Sequence, residues 1–532
     1  MKLLVYIAVF FTFFSCSNRQ SKFNDSQVFR YNEPRNITSL DPAYASNQAN
    51  IWAVNQLFNG LVQLDDSLNV KPDLAKSWTI STDGLQYDFT LRNDVYFHKN
   101  ACFKNNTRTV KASDFQYSFS RLTDKKLALP GSWVLDKVAR FNAVNDSIFH
   151  IELKEPFPAF LGLLTMKYCS VVPKEAITKY QNNFRNHPVG TGAFQFKLWI
   201  ENTKLVFRKN PLYFEKDSKG NHLPYLEAVA IKFLPDRQSG FMEFIQGKSD
   251  FISGLDPSYK DDILDADGNL QNKYAEEIRM AKGAYLNTEY LGFYMESGVD
   301  KAIHNILIRK AINYGFDRTK MIRYLRNGIG TPAVNGIIPK GMPAFNAMPA
   351  YDYQPKLAKK LIAQYKQETG EKSPKVVLAT NSAYLDLCEY IQGEMAKLGL
   401  DIQIDVNPPA TLRQEIAQGK KEFFRASWIA DYPDAQNYLS LFYSKNFKPK
   451  GPNATHFSNS LFDSLYDKSF ALVNDKERFK LYQKMDSIVM ADAPIVPLYY
   501  DEVVHFYQQN VTGIPINPIN LLELKRVRKV LN

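Results

Sequence analysis

Hydrophobic and polar positions alternate with two distinct periods along this chain, and the places where the period changes outline its elements. Tyr87, Phe89 and Leu91 alternate with polar residues, as do Phe149, Ile151 and Leu153, the period of strands with one buried face. Between them, a helix beginning at Ser113 and running to Arg121 places Phe115, Phe119 and Leu122 on one face. Near the start, residues 27–31 read as a strand, Leu40-Asp41-Pro42 breaks the chain, and Ile51 to Leu64 suits a helix. Further strands are expected over 193–199, 204–208 and 228–233. The clearest unit runs from Lys375-Val376-Val377-Leu378, through a helix carrying Leu387, Ile391, Met395 and Leu398, past Gly399 to a strand at 401–406. Strand, helix and strand in that order predict a right-handed parallel crossover. In such sheets ligands sit beyond the carboxyl ends of the strands, which directs attention to the next strand and its loop, 425–437.

The first sixteen residues break the pattern. Lys2 precedes an apolar run from Leu3 to Phe14, then Ser15-Cys16 and polar sequence. The run is shorter than the roughly 20 apolar residues of a spanning helix, so it reads as an export signal rather than a membrane span. The chain as a whole, 532 residues with 45% hydrophobic and 23% charged side chains, describes a globular protein too long for one core, and two or three lobes are expected. Cys102, Cys169 and Cys388 are widely spaced and form no metal-binding pattern; they read as buried apolar side chains, with a single disulfide as the alternative. The net charge of +11 is spread among acids, as over Asp94 to Asp114, instead of gathered into a stripe, which argues against nucleic acid.

Catalytic patterns are absent: there is no HExxH, GxSxG or P-loop, and the seven histidines never fall three to five residues apart. Gly190-Thr191-Gly192 lacks the third glycine of a dinucleotide fingerprint and reads as a turn at positions tolerant of positive φ. No cofactor or metal is expected.

Several phrases in order resemble the family 5 bacterial extracellular solute-binding proteins, the group containing the oligopeptide- and dipeptide-binding proteins of ABC transporters. They are Ser39-Leu40-Asp41-Pro42, Leu57-Phe58-Asn59-Gly60-Leu61, Pro72-Asp73-Leu74-Ala75 with Ser77-Trp78, Asp83-Gly84-Leu85, Val110 to Phe115, Pro188 to Gly192, Arg309-Lys310-Ala311-Ile312 with Asp317-Arg318, and Trp428-Ile429-Ala430-Asp431-Tyr432-Pro433-Asp434. Ser15-Cys16 after the apolar run resembles a lipobox, which implies a signal peptide over 1–15, acylation of Cys16 and a lipid anchor in the cell envelope.

The resemblance implies an α/β fold: a two-lobed, type II periplasmic-binding-protein-like clamp with an additional subdomain. Lobe I would comprise 19–58, 188–285 and 500–532, the subdomain 59–187, and lobe III 286–499. It implies a monomer, and not an enzyme, that captures short peptides for an ABC transporter permease. Other members of the fold take nickel chelates, haem or oligosaccharides, so the ligand class stays open at this point. A hydrolase using Asp431 and Asp434 as paired carboxylates is the remaining, weaker alternative.

The implied ligand-binding residues are Arg425, Ser427, Trp428, Ala430, Asp431 and Tyr432, with Ser46 and Gln48 offering a second pairing strand from the facing lobe. Asp431 corresponds to the carboxylate that meets the peptide's α-amino group, which is cationic at neutral pH; its alternative is a turn cap before Pro433. Arg425 falls where relatives hold a cation near the ligand carboxylate, or else forms an ion pair within its lobe. Trp428 lines a pocket or belongs to the core. Asp434 is read as a loop residue.

Overall fold

The structure is a computed structural model that describes residues 27–530 apart from 257, 297–300, 348 and 473. The export segment and Cys16 lie outside the described residues. Among the described residues, no helix is long and apolar enough to cross a membrane.

The molecule is organised around an eleven-stranded mixed sheet. From one edge its strands are 401–406, 375–380, 423–429, 278–293, 495–508, 251–253, 28–32, 228–232, 204–209 and 194–200, with the short strand 331–332 added to 495–508. Lys375–Thr380 and Asp401–Val406 pair in parallel and are joined by the helix Leu385–Leu398, the crossover expected from the sequence. Leu387, Ile391 and Met395 are buried, Leu398 is half-buried, and Gly399 ends the helix in the left-handed conformation. The next strand, Phe423–Ile429, joins Lys375–Thr380 in parallel at only two residues and pairs antiparallel with Ile278–Phe293 along its whole length.

Two long strands carry the sheet from one half of the molecule to the other. Ile278–Phe293 and Ile495–Gln508 pair antiparallel, with register shifts between Ala284 and Thr288 and again at Glu289/Tyr290. The lobe boundaries expected at 285/286 and 499/500 therefore fall inside continuous strands. Buried apolar side chains on either side form separate clusters. One joins the N-terminal, 59–187 and C-terminal segments and takes in Tyr432, while two others lie mostly in the region from Leu286 onward, one of them reaching Leu68.

Within 59–187, the strands Ala75–Ile80, Gln86–Leu91, Ile148–Leu153 and Val138–Ala143 form an antiparallel sheet in that spatial order. Tyr87, Phe89 and Leu91 face Phe149, Ile151 and Leu153 in the core, and the helix Ala112–Thr123 lays Phe115, Phe119 and Leu122 against them. The helix starts one residue earlier than expected. Lys111 occupies the cap position and its N–H donates to Asp114, so Ser113 is already helical.

Two other expectations are corrected. The helix read over 51–64 spans Gln48–Leu57, because Asn47 caps it and Asn59-Gly60 turns the chain into the strand Val62–Leu64. Gly190 and Gly192 do not adopt positive φ. Glycine is needed there because the backbone presses on the end of that helix: the Gly192 N–H donates to Leu57 O at 2.9 Å, and a Cβ on either residue would collide with the Leu57 backbone. Cys102, Cys169 and Cys388 are free thiols, the latter two buried.

Candidate ligand-binding site

A cavity of about 540 Å³ opens where three parts of the molecule meet. One wall is the turn and helix from Ala45 to Asn59 with the C-terminal strap Ile519–Lys525, another is Trp133 and Thr165–Tyr168, and the third is Ile429–Pro433. The first wall is built by hydrogen bonds of the helix side chains to the strap's carbonyls. Trp52 Nε1 donates to Asn520 O at 2.7 Å, and Asn55 and Gln56 donate to Leu522 O at 3.0 and 2.7 Å.

The third wall is the loop that leaves the strand Phe423–Ile429. Ala430 still pairs through its N–H with Leu286 O at 2.9 Å, and the chain then turns at Asp431. Asn437 organises that turn: its Oδ1 accepts from Trp428 Nε1 at 2.8 Å and from the Asp431 N–H at 3.2 Å, while its Nδ2 donates to Asp431 Oδ2 at 3.1 Å. Solvent reaches Asp431 from the cavity, but protein crowds its other sides. This desolvation raises the Asp431 pKa above its usual value, and the bond from Asn437 opposes the rise. No cation is paired with the carboxylate among the described residues. Asp431 is thus a fixed carboxylate facing a cavity, with a neutral amide as its partner.

Five of the eight residues expected to bind ligand line this cavity: Ser46, Gln48, Ala430, Asp431 and Tyr432. Tyr432 is itself buried, bonded to Gln436 and edge-on to Phe157 at 6.1 Å, so it links the 59–187 region to the loop. Ser46–Gln48 do not form a strand. Asn47 accepts the Asn50 N–H at 3.0 Å and caps the helix that Gln48 opens, so the expected second pairing strand is replaced by a helix start.

Arg425, Ser427 and Trp428 are not part of the lining. Arg425 is ion-paired with Glu289 on the neighbouring strand, and its guanidinium lies 3.2 Å from the centre of the Tyr384 ring. Burial raises the Glu289 pKa, and Arg425 offsets part of that rise. Trp428 is half-buried against the apolar cluster beyond Leu286. Asp434 is buried and accepts from the Gln436 N–H at 2.9 Å, with Arg478 at 3.4 Å. It does not line the cavity, so Asp431 and Asp434 do not form the carboxylate pair of the hydrolase alternative.

The cavity lining also holds charges that sequence reasoning missed. Lys525 donates to Gln63, Glu215 and Glu523 at 3.0, 2.9 and 3.2 Å. Asp73 accepts from Asn59 Nδ2 at 2.9 Å and the Gly60 N–H at 3.1 Å, and burial, with Glu215 nearby, pushes its pKa up to about 7. Lys167 stands among them. Asp73 belongs to a phrase singled out above, but no spacing connects residues 73, 167 and 523.

Comparison with known proteins supplies the family. Residues 69–450 match the bacterial extracellular solute-binding proteins, family 5 (Middle), a span of more than half the chain. The chain belongs to that family. Family 5 solute-binding proteins serve transport and are not enzymes, and this member is accordingly an extracellular or periplasmic binding protein. Among its relatives is the glutathione-binding protein GsiB of Salmonella choleraesuis, 26% identical over 489 residues that make up 91% of each chain. Among solved structures, the periplasmic binding protein DppA of Helicobacter pylori, in complex with the peptide STSA, superposes with a TM-score of 0.74 at 26% identity, covering 94% of this chain and 98% of that one. HbpA2 of Haemophilus parasuis shares the fold with a TM-score of 0.82 at 23% identity, over 95% and 100% of the two chains. In this family 5 protein the expected α/β architecture is therefore present over nearly the whole described chain.

Proposed function

We propose that this solute-binding protein captures short peptides by their free amino terminus and delivers them to the permease of an ABC importer. The observation that carries the reading is Asp431, a carboxylate held by a neutral amide and turned into the cavity. An α-ammonium entering there makes a charge-assisted hydrogen bond in a partly desolvated site, and the rise in the Asp431 pKa disappears once the cation is bound. The unpaired edge of the strand beyond Phe424 lies next to this loop and suits main-chain pairing, which reads no side chains and gives breadth of sequence preference. The peptide named in the DppA structure and the glutathione named for GsiB are consistent with a peptide-like ligand.

The long strands shared by the two halves make the hinge in this reading, and ligand contacts to both sides favour the closed clamp. The two lobes meet along those strands in this reading, with 59–187 contributing Thr165–Tyr168 to the cavity. The protein acts as a monomer, tethered through acylated Cys16. Cys16→Ser moves it from the membrane fraction to the soluble envelope fraction if that tether is correct.

The test is calorimetric titration of the mature chain, stripped of carried ligand by unfolding and refolding. Free-amine and N-acetylated versions of one tri- to pentapeptide pool are compared, with glutathione as a separate probe. Binding confined to free amines supports the reading, whereas silence from all of them moves the ligand to another chemical class.

A further inference from the structure

Among the described residues, the cations in or near the cavity include three that are accounted for by their positions. Lys525 is saturated by Gln63, Glu215 and Glu523. Arg425 is committed to Glu289 and lies outside the lining. Arg35 sits exposed at the rim, where water competes for it. Lys167 differs from all three. It lines the cavity in the turn Lys167–Cys169, and its ammonium has no hydrogen bond or ion pair among the described residues. Its backbone is fixed: the Cys169 N–H bonds to Met166 O at 2.9 Å, the Ser170 N–H to Lys167 O at 3.2 Å, and the Val171 N–H to Asn59 O at 3.0 Å.

We infer that Lys167 is the group that receives a carboxylate of the bound ligand, so that the cavity takes a zwitterion with its amine at Asp431 and its acid at the wall contributed by 59–187. This rests on the peptide reading above and adds its second pole. Lys167 is half-buried, and an ammonium held away from water without a hydrogen-bond partner is costly; burial lowers its pKa, while the charges of Asp73 and Glu523 oppose part of that fall. An incoming carboxylate removes that penalty. The nearby acids do not take its place. Glu523 is bonded to Lys525, and both Asp73 oxygens are occupied by Asn59 and Gly60. Asp73, with its pKa pushed to about 7, also loses its charge easily when a second anion approaches.

The experiment uses the refolded mature chain and one tri- to pentapeptide pool without Asp or Glu, prepared as free acids and as C-terminal amides. A third pool of amides carries a single Glu. Wild type is expected to bind acids about tenfold to a hundredfold more tightly than amides. Lys167→Met should bring the acids down to the level of the amides and leave the amides unchanged, while Lys167→Arg keeps most of the preference. If the Glu-bearing amides regain Lys167-dependent affinity, the site reads a side-chain carboxylate as well as the terminus. Equal binding of acids and amides by wild type overturns the assignment without any variant, as does loss of the preference in Arg35→Gln but not in Lys167→Met. Free-amine-specific binding that ignores the C-terminus refutes Lys167 alone. Absence of binding by every free-amine pool refutes the peptide reading together with it.

Discussion

Arg425 and Asp431 lie six residues apart on one strand and the loop that leaves it, yet they meet opposite environments. Arg425 is inside the sheet, where its neighbours on adjacent elements, Glu289 and Tyr384, neutralise and cover it. Asp431 is past the last residue of the strand, where the sheet offers no cross-strand partner and an amide from Asn437 holds the carboxylate instead. A charge within a sheet must be satisfied by the sheet, because leaving it unpaired costs several kcal/mol. A charge beyond the carboxyl end of a strand can remain available to a ligand. Proximity in sequence to a cavity-lining residue is therefore weak evidence of access to the cavity, and position relative to the strand end is stronger.

The comparison can be broken most sharply at Asp431. Asp431→Ala leaves a bound α-ammonium without its counter-ion, with an expected loss of about 3–5 kcal/mol, or a few hundred- to a few thousand-fold in affinity, while the thermal midpoint stays near that of wild type. Calorimetry and a melting curve on the same sample check both halves, and an affinity within a few-fold of wild type removes Asp431 from the site.

Glu289→Ala should behave in the opposite way. It strands the nearly buried Arg425 and is expected to cost about 3 kcal/mol in unfolding free energy by denaturant titration, with ligand affinity of the folded fraction changed little. A large affinity loss at preserved stability would return Arg425 to the ligand site.

Asn437→Ala sits between these cases. It removes the donor to Asp431 and the acceptor shared by Trp428 Nε1 and the Asp431 N–H, so both stability and affinity should fall, each by about 1–2 kcal/mol. A purely structural Asn437 would move stability alone.

The smallest effect is a pH slope, and it belongs to acids buried in the structure instead of the carboxylate that faces the cavity. Asp486 is buried, accepts the Ile337 N–H at 3.0 Å, and has its pKa pushed up to about 7 by desolvation. The folded protein then retains a proton that the unfolded chain, with a carboxyl pKa near 4, releases. The stability associated with that proton is fully present at about pH 4 and is lost as the pH rises through about 7. Asp73 acts in the same direction. The thermal midpoint should show a smaller decline between pH 5 and pH 7.5 in Asp486→Asn than in wild type, and parallel curves would assign the slope elsewhere.

Much of the fold was legible before any coordinates because it is local. The alternation at 87–91 and 149–153, the apolar face of 112–123 and the crossover over 375–406 each follow from side-chain period and backbone propensity within a short window. Errors arose where a distant segment decided the outcome. The helix read to Leu64 ends at Leu57, where Gly190 and Gly192 press on its last turn. Ser46–Gln48 read as extended until Asn47 capped a helix held by the C-terminal strap. The motif pointed to Asp431 and Arg425 alike, and only the fold places the first on the cavity and the second outside it.

The sequence by itself determined the periodic elements and the family, since each rests on residue identities close together in the chain. Tertiary structure alone decided which charges remain open. Lys167, Asp73, Glu523 and Lys525 come from segments far apart in the chain, and only folding sets them beside one another. Whether a charge is spent on a neighbour or left for a ligand depends on Coulomb and desolvation energies that fall off over a few ångströms of space, a distance that separation along the chain does not report.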